Sequence, residues 1–213
     1  DAASVAAYLE AGGAASAGNI TGGAPTTAKY VSGTAGRPVN NASADIVFST
    51  VDASSYTSVF CELRLASFSV SSTGNGADPT DTVLVSISTD GGTTYSQELL
   101  INGATANNSY WGFGATGTAT VTYDGNNTAS VFAPAGGGSR TTDGYTFLRI
   151  NSLPSSATLK IKVRLKNNAS GEMWVIDDVV IKGTLAVSGP EINLQGNTTN
   201  IVDGDATPTT TDH

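Results

Sequence analysis

An all-β sandwich is the fold this sequence predicts, and three observations point to it. Short apolar segments alternate inward and outward residues with the period of two that a half-buried strand requires. Turn-forming residues punctuate them, with 25 glycines and 7 prolines in the chain. No part of the 213 residues carries a convincing helical period. Composition agrees. Hydrophobic residues make up 39%, enough for a core, and charged residues only 13%, about half the usual share. Thr, Ser, Asn, Gly and Ala carry the surface instead. The net charge of −8 argues against generic nucleic-acid binding, which depends on a positive field. No apolar run is long enough to cross a bilayer as a helix, so membrane insertion is not expected.

Residues 1–44 are rich in small residues and weakly periodic, and Val5 to Glu10 admits either a first strand or a short helical turn. Strand patterning becomes clear at Asp45 to Ser49. It continues from Val59 to Val70, where apolar residues sit at 59, 61, 63 and 65 and then at 68 and 70. The change of parity near Ala66 and Ser67 predicts a β-bulge there. Val83 to Ser88 is a strand, followed by Asp90-Gly91 as the tight turn of a hairpin with Leu99 to Ile101 as the return. Shorter candidates are Thr118 to Tyr123 and Ala129 to Phe132. Tyr145 to Ile150, Leu159 to Leu165 and Trp174 to Lys182 read as a three-strand ending. Eight or more short strands with turns between them make a jelly-roll β-sandwich of two antiparallel sheets the best single assignment, over residues 1–187. Residues 188–213, set off by Ser188-Gly189-Pro190, read as a linker or the start of a following module.

Cys61 is the only cysteine, so no intrachain disulfide forms, and its register with Val59, Leu63 and Leu65 places it on the apolar face. A cysteine nucleophile would need a histidine, and the one histidine is His213.

Three features bear on function. Acids cluster at Asp78 and Asp81, at Asp177-Asp178 and at Asp203-Gly204-Asp205. Loops dense in Asp, Asn and Gly supply the oxygen ligands calcium prefers, and they also form capped turns without metal. Turn chemistry explains Asp203 and Asp205 better. The second feature is Lys160, Lys162, Arg164 and Lys166, alternating with apolar residues. They hold four of the ten basic residues on one face of a strand. Two arrangements fit: a groove floor for anionic polysaccharide, or a solvated edge strand that lysines protect from pairing. The third is Tyr110, Trp111 and Tyr123, aromatic residues suited to stack on sugar rings; in the other arrangement Trp111 and Phe113 close one end of the core. Trp174 reads as core.

Met173 to Ile181, Met-Trp-Val-Ile-Asp-Asp-Val-Val-Ile, resembles the last strand of jelly-roll modules in secreted bacterial proteins. MAM-like adhesion domains and carbohydrate-binding modules end in this way. The resemblance covers residues from about 45 to 184 and is most persuasive in Ser72 to Tyr95 and Asn167 to Gly183. It implies an extracellular place and a calcium ion held between an early acidic loop and the Asp pair of the last strand. By that resemblance Asp177 or Asp178 is a ligand, with Asp78 and Asp81 as partners. Residues 190–208 resemble the opening of a choice-of-anchor immunoglobulin-like repeat, which implies a longer parent protein. The acid pattern of jelly-roll glucanases and the patterns of jelly-roll alginate lyases are absent, so an enzyme is not expected. The leading expectation is a non-catalytic, calcium-supported carbohydrate-binding module, with Tyr110, Trp111, Tyr123, Lys160, Lys162 and Arg164 at the ligand. The alternative is an adhesion or self-assembly module whose residues 188–213 pair with a neighbour's sheet.

Overall fold

The structure, a computed structural model, describes residues 37–39, 41–69, 77–103, 118–132, 146–169 and 172–186. Ten strands follow one another: β1 Arg37–Val39, β2 Ser43–Val47, β3 Tyr56–Ser69, β4 Thr82–Ser88, β5 Ser96–Asn102, β6 Thr118–Thr122, β7 Ser130–Phe132, β8 Thr146–Leu153, β9 Lys160–Lys166 and β10 Glu172–Leu185. They form two five-stranded sheets, ordered β1-β10-β3-β8-β6 and β2-β9-β4-β5-β7. The antiparallel partners nest: β1 with β10, β2 with β9, β3 with β8 and β4 with β5. Such nesting is one long eight-stranded hairpin rolled over itself, the jelly roll.

The sheets are not wholly antiparallel. β7 runs parallel to β5 and β6 parallel to β8, each at a sheet edge. β6 and β7 fall between β5 and β8 in the chain and lie in opposite sheets. Each therefore meets its neighbour after a crossover, not across a tight turn. Nor do the last three strands form a meander: β8 and β10 flank β3 in one sheet, and β9 is in the other. β1 falls in the stretch whose weak periodicity concealed it. Residues 1–36 and 187–213, and with them the expected domain boundary at 187, lie outside the described residues.

The core forms where the alternating inner faces meet. Val59, Cys61, Leu63 and Leu65 of β3 face Val83, Val85 and Ile87 of β4 across the sandwich's interior layer, with Leu99, Ile101, Leu148, Ile150, Ile161, Val163, Leu165, Trp174 and Ile176 completing it. Trp174 is fully buried, and its indole N–H donates to the Lys166 carbonyl at 2.9 Å. That bond satisfies the one polar atom of the ring. Burial pushes the Cys61 thiol up to about 12. A thiol reagent should therefore leave the folded protein untouched at pH 8 and label it fully in denaturant. Labelling of the native protein at the rate of a free cysteine would contradict this placement.

The expected bulge at Ala66 and Ser67 is not there: Leu65, Ala66 and Ser67 pair regularly with Ile176, Val175 and Trp174. Bulges occur elsewhere. Asp177 pairs with Arg64 and Val180 with Glu62, so β10 carries one extra residue. Lys182 and Thr184 oppose Phe60 and Thr57, which puts an extra residue on β3. Val59 and Cys61 oppose Leu153 and Ile150, which puts one on β8. Each of these three bulges has a non-glycine residue in the left-handed region: Asp178 (φ 49°), Ser58 (φ 51°) and Ser152 (φ 57°). Three adjacent strands of one sheet are thus kinked by residues for which that conformation is costly.

The β4–β5 hairpin is present, but its connection runs over residues 89–95 and is not a two-residue turn. Asp90 closes it. Its carboxylate accepts from the Thr94 N–H at 2.9 Å and from the hydroxyls of Thr94 and Ser88 at 2.6 and 2.7 Å. These bonds hold it well below the usual carboxylate range. Gly91 (φ 76°) and Gly92 (φ 99°) supply the left-handed backbone that follows.

Candidate functional site

Two connections between the sheets meet at one end of the sandwich, and each brings acids. The first is the approach to β4. Asp78-Pro79-Thr80-Asp81 is a reverse turn closed by the Asp81 N–H donating to the Asp78 carbonyl at 2.9 Å, with Pro at the position that suits its fixed φ. Asp78 Oδ1 accepts from the Thr80 N–H at 2.8 Å and the Thr80 hydroxyl at 2.7 Å. Gly103, just past β5, backs this turn. Its N–H donates to the Asp81 carbonyl at 2.8 Å, and a Cβ there would lie 2.0 Å from the Asp78 carbonyl oxygen. Only glycine leaves room for that approach.

The second connection is the turn from β9 to β10. Glu172 opens β10, and its Oε2 accepts from the N–H groups of Ala169 at 3.0 Å and Asn168 at 3.3 Å. The Asn168 N–H also reaches Asp81 Oδ1 at 3.2 Å, and its side-chain amide donates to the Thr80 hydroxyl at 2.6 Å. Asp81 Oδ2 accepts from the Asp78 N–H at 2.7 Å. The result is a trio, Asp78, Asp81 and Glu172, whose ligand oxygens lie within 4.8 Å of one another. Asp81 is 0% exposed and Glu172 5%.

The hydrogen bonds just described come from neutral N–H and O–H groups. Burial raises both the Asp81 and the Glu172 carboxyl, and each is raised further by a neighbouring acid. Like charges this close do not ionise together unless something positive joins them or a proton is shared. The donor set is oxygen only, with no nitrogen or sulfur ligand. It therefore fits a hard cation of the calcium type, which takes six to eight oxygens from carboxylates, carbonyls and water. A cation there would tie the connection between β3 and β4 to the one between β9 and β10, and so one sheet to the other.

Of the four acids expected from the resemblance, the structure groups two. Asp78 and Asp81 come together as foreseen, but Asp177 and Asp178 do not join them. They lie five and six residues beyond Glu172, ~17 Å or more along an extended strand. Asp178 Oδ2 instead meets the Arg64 guanidinium at 3.0 Å, and Asp177 Oδ1 accepts the Asp178 N–H at 2.8 Å. The bulge is the reason. Residues 172, 174 and 176 share a parity, and Trp174 and Ile176 face the core. Without the extra residue Asp178 would follow them inward; the left-handed turn at Asp178 sends its carboxylate to Arg64. The same parity is the signal that would have found Glu172, an acid in phase with a core tryptophan at the rim.

The basic residues Lys160, Lys162 and Arg164 do share the outer face of β9. That strand is no edge: β2 and β4 flank it on either side. Protection from edge pairing is therefore not its role. Arg164 is paired with Asp45, at 2.6 Å from Nε and 2.9 Å from Nη2. The Lys162 ammonium lies 4.2 Å from the centre of the Tyr95 ring, and Lys160 Nζ reaches the Gly91 carbonyl at 3.5 Å. Tyr123 is half-buried and packs against the core. Tyr110, Trp111, Phe113, Asp203 and Asp205 lie outside the described residues.

No protein-family model matches this chain, and no curated protein sequence matches it. No helix among the described residues is long and apolar enough to cross a membrane.

Proposed function

We propose that this chain is a non-catalytic, extracellular binding module that holds a larger protein on polysaccharide, anionic glycans above all. In this reading calcium is a structural ion bound by Asp78, Asp81 and Glu172. The observation that carries the proposal is the face of β9. A strand flanked on both sides presents Lys160, Lys162, Arg164 and Lys166 in one row, beside Tyr95, on a protein whose net charge is −8. A flat sheet face with several ammonium groups suits a chain of carboxylated or sulfated sugars, which offers an acceptor at each repeat. The non-catalytic part of the reading is supported by the acids themselves. Asp81 and Glu172, brought close enough to work as a pair, are closed off from any sugar ring by burial.

Affinity electrophoresis through gels carrying uronic, sulfated or neutral polysaccharide tests the proposal. Retardation by an anionic gel, weakening as salt rises and reduced about tenfold in Lys160→Gln/Lys162→Gln, is the expected result. Free migration in every gel would discard the glycan reading. The adhesion and self-assembly alternative would then lead, and light scattering on the full chain would have to show oligomers.

A further inference from the structure

The geometry points to a second binding cleft, on the outer face of the other sheet, that takes the anionic group of a sugar. It stands apart from the β9 face and from the acid trio. The three bulges of β10, β3 and β8 kink neighbouring strands of that sheet, and Ser58 of β3 and Ser152 of β8 both line a cleft of about 550 Å³. Its walls include Ser58, Phe60, Arg149, Ser152 and Lys182.

Ser58 (φ 51°) and Ser152 (φ 57°) sit in left-handed conformations where glycine is the ordinary choice. Strain held by non-glycine residues on adjacent strands is the kind that marks a site, since bulges re-aim side chains beside binding clefts. Here the re-aimed side chains are hydroxyls. A fixed guanidinium lines the same cleft. Arg149 lies 3.6 Å over the centre of the Phe60 ring. Its Nε donates to Asn151 at 2.8 Å, and Nη1 meets Glu62 at 3.2 Å. Ring, amide and carboxylate hold the fork in place and leave Nη2 for a ligand. Lys182, across the cleft on β10, brings a second positive charge on an exposed side chain.

Within this cleft Arg149 and Lys182 stand against one acid, Glu62, and are flanked by hydroxyls, which suits a compact anion such as the carboxylate or sulfate of a sugar ring. A second hollow of about 410 Å³, lined by Val51, Asp52 and Tyr56, adjoins the first and shares Lys182 and Gly183 with it. Gly183 lines both hollows and adds no side chain between them; a Cβ there would lie 3.0 Å from the Tyr56 Cβ, so Tyr56 packs against its backbone. An oligosaccharide can pass from one hollow to the other, with its anionic group at Arg149 and a neighbouring ring against Tyr56, which is 39% exposed.

The test is amide NMR of the isotope-labelled full chain, titrated with trigalacturonate (carboxylates only), a κ-carrageenan oligosaccharide (sulfates only) and maltotriose (neutral). Saturable shifts of Ser58, Ser152, Lys182 and Gly183 with an anionic probe are expected, and the probe that acts names the group. Arg149→Gln and the exposed Lys182→Gln should each weaken that binding about tenfold or more. Several results would overturn the cleft. One is no shift at these amides with either anionic probe at millimolar concentration. Another is binding that survives both substitutions, and a third is maltotriose binding equally well. Shifts confined to Lys160, Lys162 and Arg164 would support the β9 face and reject this cleft, whereas shifts confined to the cleft would do the reverse.

Discussion

Calcium is expected to raise the thermal midpoint of this protein, and Glu172→Gln to abolish that rise without weakening the metal-free fold. An ion present at a hundredfold its dissociation constant stabilises by ~2.7 kcal/mol, about 5–10 °C for a domain of this size. The amide introduced by Glu172→Gln keeps an acceptor for the Asn168 and Ala169 N–H groups but removes one of the two buried carboxyls. At neutral pH without metal, the variant should melt no lower than the parent. A calcium shift that persists in Glu172→Gln would remove this trio as the site. A metal-free variant much less stable than the parent would show that Glu172 serves the fold in some other way.

The same pair sets a pH dependence. Asp81 and Glu172 titrate above their ordinary values of 3.8 and 4.5 in the folded protein. Groups raised by folding contribute stability that is fully present below those ordinary values and is lost as pH rises through the folded ones. In chelator, then, the midpoint should climb as pH is lowered from neutral toward 4.5. Below that range the trend reverses. Asp90, lowered chiefly by the Thr94 hydroxyl, and Asp45, lowered chiefly by Arg164, give stability that is lost as they protonate. With calcium the pair stays ionised at neutral pH, so the two profiles should diverge there and converge in acid. Parallel profiles with and without calcium would contradict a metal at these acids.

Trp174→Ala is expected to cost about 3–5 kcal/mol, the range for deleting a fully buried large aromatic. That is a large part of the roughly 5–15 kcal/mol by which domains are ordinarily stable. The site is poorly placed to collapse. Trp174 belongs to the continuous buried core, and its loss also leaves the Lys166 carbonyl without its indole donor. Trp174→Phe separates the two contributions: it keeps most of the apolar volume, drops the N–H, and should cost less than half as much. Chemical denaturation measures both, and near-equal costs would mean that the hydrogen bond, not the volume, dominates.

Local pattern carried most of the fold. The alternation at Val59 to Leu65, Val83 to Ile87 and Leu159 to Leu165 is a statement about which side chains share a face, and faces follow from the period of two. The buried Cys61 and Trp174 were legible for the same reason. Asp78 and Asp81 were legible because a turn keeps its acids within a few residues of one another.

What the pattern could not carry was anything that depends on which strands become neighbours. Parallel edges at β6 and β7, the interior place of β9 and the short β1 are matters of pairing, and pairing is decided by backbone bonds between residues far apart in the chain. The bulges belong here too, since an extra residue is defined only against a partner strand. One such residue turned Asp178 toward Arg64 and away from the acids it was expected to join. Glu172 reached Asp81 instead, from far along the chain, because two inter-sheet connections end at the same rim. Composition and periodicity thus determined an all-β sandwich with an acidic loop and a basic strand. Which acids share a cation, and which serines and cations line a cleft, was decided only by the rolling of the hairpin, which brings distant residues within a few ångströms.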